Sequence, residues 1–190
     1  LFVPTHFPEF NNSNELAQMS SQLFSLSSPQ ALIPHTMAHF LRPFLKDDPL
    51  EPFLNEICEK ALSFPLPLRE LDKETSLLEL FHGPTAAFKD LGARFLSGFL
   101  SQLGTLKNIK FHIVVATSGD TGGAVASAFH KQKNVRVTLL YPEGGVSSLQ
   151  EKQLTIWDDN VKSLAVKGTF DDCQRLVKNI LSLDHTQLPK

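Results

Sequence analysis

The stretch FHIVVATSGDTGGAVASAFHKQKNVRVTLLY, residues 111–141, decides the fold class. It contains two apolar runs rich in β-branched residues, Phe111 to Thr117 and Val135 to Tyr141. Between them, Gly122 to Lys131 carries the apolar spacing of a helix. Strand, helix and strand at this repeat length are typical of a βαβ unit, in which the two strands are parallel. We therefore predict a parallel sheet whose crossovers are right-handed.

The same alternation continues toward the carboxyl end. Val161 to Val166 is a third β-rich run, and helical spacing is present from Ser147 to Trp157 and from Phe170 to Leu181. The fold class is α/β, with residues 76–190 forming a small domain around the sheet. Three parallel strands leave exposed edges, which proteins normally cover or pair, so we expect further chain or a partner to complete the sheet.

Residues 1–75 form a different region, helical and mixed, and rich in Pro, Ser and Phe. Two apolar faces at helical spacing are present. The first comprises Leu16, Met19, Leu23 and Leu26, and the second Phe53, Leu54, Ile57, Ala61 and Leu62. Pro65 and Pro67 end the second pattern, and Leu77 to Phe81 is predicted to be a short buried strand.

The composition excludes several classes of protein. The 190 residues are 42% hydrophobic and 20% charged with a net charge of -2, which gives no attraction to nucleic acid or to an anionic membrane. Cys58 and Cys173 show no metal-ligand spacing, and a reducing cytoplasm is expected. The chain begins at Leu1 without an initiator Met and without a signal-peptide pattern.

Lys89 is the candidate catalytic residue. It ends the segment HGPTAAFK, residues 82–89, and stands at the start of a predicted helix. A helix amino terminus and desolvation by Phe88 would both disfavour the charged amine, whereas Asp90 would favour it. A free amine is what a covalent bond to a carbonyl cofactor requires. Taken alone, however, a lysine at a helix start is most often a solvated surface residue.

The helix that follows Lys89 is predicted to be amphipathic. Its apolar face is expected to comprise Phe88, Leu91, Phe95, Leu96, Phe99 and Leu103.

A second candidate is the loop TSGDTGG, residues 117–123, between a strand and a helix. Its small residues allow a ligand to approach the backbone, and the helix amino terminus offers unpaired N–H groups to an anion. The alternative is an ordinary tight turn capped by Ser118 or Asp120. A short glycine motif is weak by itself, and both interpretations remain open.

The segment LFHGPTAAFKD, residues 80–90, closely resembles the cofactor-lysine motif of threonine synthases, with Ala86 at a position where a larger hydrophobic residue is usual. The run ATSGDTG, residues 116–122, resembles the loop of that family that meets the substrate carboxylate and the cofactor ring hydroxyl. Residues 142–153 and 168–174 also resemble family segments. Many relatives of the same cofactor fold type have Asn at the position of Asp120. An Asp at this position resembles the microbial and fungal type of threonine synthase more than the plant type.

The resemblance implies a fold type II enzyme in which Lys89 carries pyridoxal 5'-phosphate. It implies cofactor contacts from Ser118, Gly119, Asp120, Thr121 and Gly122. It implies substrate contacts from Thr117, Ser118, Asp120 and Thr121. The implied reaction converts O-phospho-L-homoserine and water to L-threonine and phosphate, with no metal.

The family's loop for the cofactor phosphate has no match before Lys190, and its members are about twice as long. We therefore expect a truncated chain that is inactive alone. A related phospho-lyase that releases 2-oxobutyrate and a non-catalytic domain on the same scaffold remain alternatives. A dinucleotide-binding enzyme is disfavoured because Gly119, Gly122 and Gly123 do not fit its glycine fingerprint. The oligomeric state is not predicted.

Overall fold

The computed structural model describes residues 29–182 and contains six α-helices and five strands over that range. The helices are α1 Pro29–Leu41, α2 Leu54–Ala61, α3 Lys89–Lys107, α4 Asp120–Phe129, α5 Ser148–Thr155 and α6 Phe170–Ser182. The strands are β1 Leu68–Glu70, β2 Ser76–Leu78, β3 Phe111–Ala116, β4 Val135–Pro142 and β5 Val161–Val166. Short 3-10 helices at Arg42–Leu45 and Glu51–Phe53 join α1 to α2.

The parallel sheet is confirmed. Its strand order is β3-β4-β5, with Phe111 opposite Val135 and Val137 opposite Val161. The predicted strands match within a residue at each end, and the three predicted helices between and after them are present as α4, α5 and α6. The predicted face at Leu16 to Leu26 lies outside the described residues.

The core lies where α4 and α5 pack on one face of the sheet. Alternate residues of β4 point into it, because successive side chains of a strand face opposite sides. Val137 and Leu139 are fully buried there, together with Phe129 of α4 and Leu154 of α5. This packing fixes the start of each helix against the carboxyl ends of the strands.

The predicted buried strand from Leu77 to Phe81 is wrong. The strand is β2, which ends at Leu78 and pairs antiparallel with β1, a strand that the sequence pattern did not reveal. Leu78 is 50% exposed and Phe81 54% exposed, because nothing in the described residues packs over this two-stranded ribbon as a second layer. The boundary at residue 75 falls in the turn of this hairpin, so the division into two domains stays a prediction.

The second predicted face of the amino-terminal region is confirmed in α2. Leu54, Ile57 and Ala61 are buried there, and Leu62 is buried just after the helix, whereas Phe53 before it is half-buried. This helix packs against α1 and α3.

The apolar face predicted for α3 is only partly the buried one. Phe95 packs on the cluster of α1 and α2, but Phe88 and Leu96 are exposed. The most buried side of α3 instead carries the residues Asp90, Ser97 and Gly104. Small residues allow α3 to lie close to α4, where the Ser97 hydroxyl donates to the Ala128 carbonyl at 2.6 Å.

No helix within residues 29–182 is both long and apolar enough to cross a membrane.

We predict that Leu139→Ala destabilises the chain by about 2–5 kcal/mol, because it leaves a cavity in the core. The matched control is Leu149→Ala on α5, where the side chain is 66% exposed and the expected change is within about 0.5 kcal/mol. Urea unfolding followed by circular dichroism measures both. Equal losses for the two variants would contradict this assignment of the core.

Candidate functional site

Three helix amino termini meet at the carboxyl edge of the sheet. Lys89 is the first residue of α3, Asp120 is the first of α4, and Gln150 lies in the first turn of α5. Lys89 Nζ lies 3.9 Å from Asp120 Oδ2, and Gln150 Nε2 donates to Asp120 Oδ1 at 2.9 Å. Both sequence-predicted segments therefore contribute to one place. Ligands of open α/β sheets bind at this edge of the strands.

Within residues 29–182, two groups lie close to the Lys89 amine. Besides the Asp120 carboxylate, the ring of Phe88 lies with its centroid 4.4 Å from Nζ. A carboxylate and an aromatic face both attract a cation. The side chain of Lys89 is 31% exposed, so its amine is reachable from solvent.

Asp90 has a structural role that the sequence argument did not assign to it. It is fully buried, and its carboxylate accepts from the Thr85 amide and the Thr85 hydroxyl, each at 2.8 Å. A Cβ on Gly83 would lie 2.5 Å from Asp90 Oδ2, which explains the glycine. Asp90 therefore shapes the loop that leads to Lys89. The carboxylate that faces the lysine comes from Asp120.

The loop at residues 117–122 is organised by Thr117. Its buried hydroxyl accepts from the amides of Gly119 and Gly122, at 3.0 and 2.8 Å, and donates to the Gly119 carbonyl at 3.2 Å. The alternative interpretation, a cap from Ser118 or Asp120, is not what the structure has, because Gly119 is the N-cap residue of α4 and Thr117 satisfies the third amide of the helix. Sequence reasoning missed this function of Thr117.

The loop residues divide into two groups. Ser118, Asp120 and Thr121 are exposed, and the amides of Asp120 and Thr121 begin α4, where no intrahelical carbonyl can bind them. Thr117, Gly119 and Gly122 are buried, and the Thr117 hydroxyl binds the amides of the two glycines within the loop. The first group is open to a ligand, and the second builds the loop. The ligand contacts predicted for both groups stay predictions.

Glu79 is a buried charged residue near the lysine segment that the sequence argument missed. It is 8% exposed, and its carboxylate binds Arg69 of β1 and His82, the latter at 2.6 Å. The hydrogen bond from His82, together with Arg69, holds the pKa of Glu79 below its ordinary value. This cluster connects His82, near the start of the lysine segment, to the hairpin of β1 and β2. No local pattern could have found Glu79, because a glutamate beside Leu78 and Leu80 is ordinarily the exposed residue, whereas here it is buried and Leu78 is exposed.

A cavity of about 450 Å³ lies at the opposite, amino edge of the sheet, away from Lys89. Lys110, His112, Lys133 and Arg136 are among the residues that line it. Within residues 29–182, no group of acidic, histidine or cysteine side chains has the arrangement of a metal site.

No family model matches the sequence. Curated relatives do match it. The chain is 46% identical over 149 residues to threonine synthase of Buchnera aphidicola subsp. Baizongia pistaciae, covering 78% of this chain and 35% of the relative. It is 40% identical over 178 residues to threonine synthase of Escherichia coli, covering 94% of this chain and 39% of the relative. The chain thus spans a little over a third of the length of these relatives.

Solved structures agree. A threonine synthase from Brucella melitensis with bound pyridoxal phosphate superposes with a TM-score of 0.79 at 31% identity, covering 95% of this chain and 38% of that one. The Escherichia coli enzyme gives a TM-score of 0.75 at 38% identity, covering 94% of this chain and 39% of the other.

We predict that Thr117→Val destabilises the chain by about 2–4 kcal/mol, because two buried amides lose their acceptor. Thr117→Ser keeps the hydroxyl and is expected to cost about 1 kcal/mol, for the lost methyl group. Urea unfolding of the two variants makes the comparison. If valine proves as stable as serine at this position, the hydroxyl is not what holds the loop.

The lowered pKa of Glu79 predicts a pH dependence of stability. Folding favours the ionised carboxylate, so this contribution is present above its ordinary pKa of 4.5 and is lost as the pH falls through the lower folded value. Glu79→Gln should therefore flatten the acid limb of the stability curve, which means that the free energy of unfolding should fall less steeply as the pH drops below 4.5. Glu74→Gln, in the exposed turn of the same hairpin, is the control and should leave that limb unchanged. Parallel acid limbs for Glu79→Gln and the unmodified chain would contradict this prediction.

Proposed function

We propose that this chain, which belongs to the threonine synthase family, provides the lysine that carries pyridoxal 5'-phosphate in such an enzyme, and that this lysine is Lys89. The observation that carries the proposal is the placement of the Lys89 amine 3.9 Å from the exposed loop residue Asp120. The whole reaction proposed is the conversion of O-phospho-L-homoserine and water to L-threonine and phosphate.

The residues present fit the cofactor. The Lys89 amine is accessible, and the loop beside it offers the exposed side chains of Ser118, Asp120 and Thr121. The starts of α3 and α4 add positive partial charge, which suits an anionic ligand. Pyridoxal phosphate, when bound, supplies an electron sink for the carbon atoms of the amino-acid substrate.

The roles of the protein groups follow from their positions. Lys89 Nζ would take up and return protons at Cα and Cβ of the substrate as a general base and acid. The hydroxyls of Ser118 and Thr121, with the first amides of α4, would bind the substrate carboxylate. Thr117, Gly119 and Gly122 support these contacts by holding the shape of the loop.

These 190 residues cover 39% of the Escherichia coli relative. We propose that the cofactor phosphate is bound by parts of the enzyme outside these 190 residues. The 190 residues alone are accordingly proposed to be inactive. A cytoplasmic location without a nucleic-acid partner completes the proposal, supported by the net charge of -2 and by two buried free thiols, Cys58 and Cys173.

Borohydride trapping tests the role of Lys89. The chain is incubated with pyridoxal phosphate and reduced, and the pyridoxyl adducts are located by peptide mass. We expect labelling concentrated on the peptide that contains Lys89 and lost in Lys89→Arg. Lys107→Arg, at the far end of the same helix, should leave it intact.

Even labelling over many lysines would indicate that the site needs the remaining length of the enzyme. The same experiment is then repeated on a protein extended to the family length. Absence of label at Lys89 there would overturn the proposal. A product assay on that protein distinguishes release of L-threonine from release of 2-oxobutyrate.

A further inference from the structure

Gln150 uses both ends of its side-chain amide. Its Oε1 accepts from the amide and the hydroxyl of Ser147, at 3.1 and 3.0 Å, while the Ser147 hydroxyl accepts from the Gln150 amide at 3.3 Å. This capping box begins α5. The Nε2 end is not needed for the cap. It reaches across to α4 and donates to Asp120 Oδ1 at 2.9 Å.

The same amide lies directly on the backbone of the loop. A Cβ at Gly119 would come within 2.4 Å of both Cδ and Nε2 of Gln150. Gly119 also has a φ of 137°, which side chains rarely adopt. The glycine therefore serves two needs, a backbone turn and a place for the Gln150 amide. Gln150 therefore packs on one side of the loop, and the buried Thr117 hydroxyl binds its backbone from the other side.

The hydrogen bond to Gln150 also decides where the Asp120 charge lies. The side chain of Asp120 is 54% exposed, and an exposed carboxylate is ordinarily free to rotate. Here Oδ1 is bound by Gln150, and Oδ2 is left facing Lys89 Nζ. The backbone amide of Ser147, which donates to Gln150 Oε1 at 3.1 Å, in turn holds Gln150, so the position of the charge is set by the start of α5.

We propose that Gln150 is a positioning residue of this site. It fixes the Asp120 carboxylate beside Lys89, and its side-chain amide, which lies against Gly119, holds the conformation of the loop at residues 117–122. Its importance for the cofactor rests on the function proposed above for Lys89. The contact itself is independent of that function and is tested separately.

Two substitutions separate positioning from helix capping. Gln150→Glu keeps an acceptor for Ser147, since glutamate also forms capping boxes, but it loses the donor and sets a carboxylate against Asp120. Ser147→Ala removes the capping hydroxyl and leaves the Gln150 amide in place. Gln153→Glu makes the same charge change one turn further along α5 and is the matched control.

Hydrogen exchange of the Gly119 and Gly122 amides, which bind the Thr117 hydroxyl, is the first measurement. Loss of one net hydrogen bond predicts about fivefold faster exchange in Gln150→Glu. Ser147→Ala and Gln153→Glu should stay close to the unmodified chain. The second measurement is borohydride trapping, in which pyridoxyl labelling at Lys89 should fall only in Gln150→Glu.

A paired exchange of groups gives a rescue. In the double variant Asp120→Asn with Gln150→Glu, the amide and the carboxylate change places, so one can again donate to the other. Exchange at Gly119 should return to within about twofold of the unmodified chain. Rescue would show that the residue at position 150 acts on the loop through its partner at position 120.

The results distinguish the two proposals. Exchange in Gln150→Glu equal to that of the unmodified chain overturns the positioning role, as does faster exchange in Ser147→Ala alone, which would mark Gln150 as a cap only. If Lys89 takes no label even in the protein extended to the family length, while Gln150→Glu still loosens the loop, the cofactor function fails and the positioning role stands.

Discussion

The geometry of the site depends first on one buried hydroxyl, that of Thr117. Thr117 directly follows β3, and its amide donates to the Leu140 carbonyl of the neighbouring strand at 2.9 Å. Its side chain then binds the backbone on both sides of the turn into α4. The sheet, the turn and the helix are thereby joined at one residue. Because the buried residues of the loop are held in this way, Ser118, Asp120 and Thr121 are exposed to solvent.

The same solution recurs at each segment that leads to the site. A buried polar side chain is costly unless its hydrogen bonds are made, and then it holds a unique geometry. Asp90 does this for the loop before α3 by binding Thr85, and Glu79 does it for the start of the motif by binding His82. In the described part of the chain, no buried side-chain nitrogen or oxygen lacks a partner. Local polar contacts, more than apolar packing, define the shape near Lys89.

Sequence patterns predicted what depends on local periodicity. The runs that became β3, β4 and β5 were recognisable because a buried parallel strand is continuously apolar and β-branched. Lys89 was correctly expected at a helix start, since Gly83 and Pro84 mark the turn before an amphipathic segment. The α/β class follows from these features alone.

What could not be predicted depends on contacts between distant segments. Gln150 and Asp120 are 30 residues apart, and no local pattern joins them. The buried side of α3 was misjudged because apolar residues were weighted over small ones. Close packing selects Ser97 against α4 and Gly104 against Asn134. Asp90 was expected to act on its neighbour Lys89, but its buried carboxylate is directed to Thr85.

The hydrogen bond from Ser97 to Ala128 has a consequence for the distance between Lys89 and Asp120. These two residues open α3 and α4, so their separation is inherited from the spacing of two rigid helices. Ser97 lies eight residues along α3 from Lys89, about 12 Å away at the helical rise. The Ser97 side chain thus sets the width of the site from a distance, without contacting a ligand. A change at the interface between α3 and α4 would change the distance between Lys89 and Asp120.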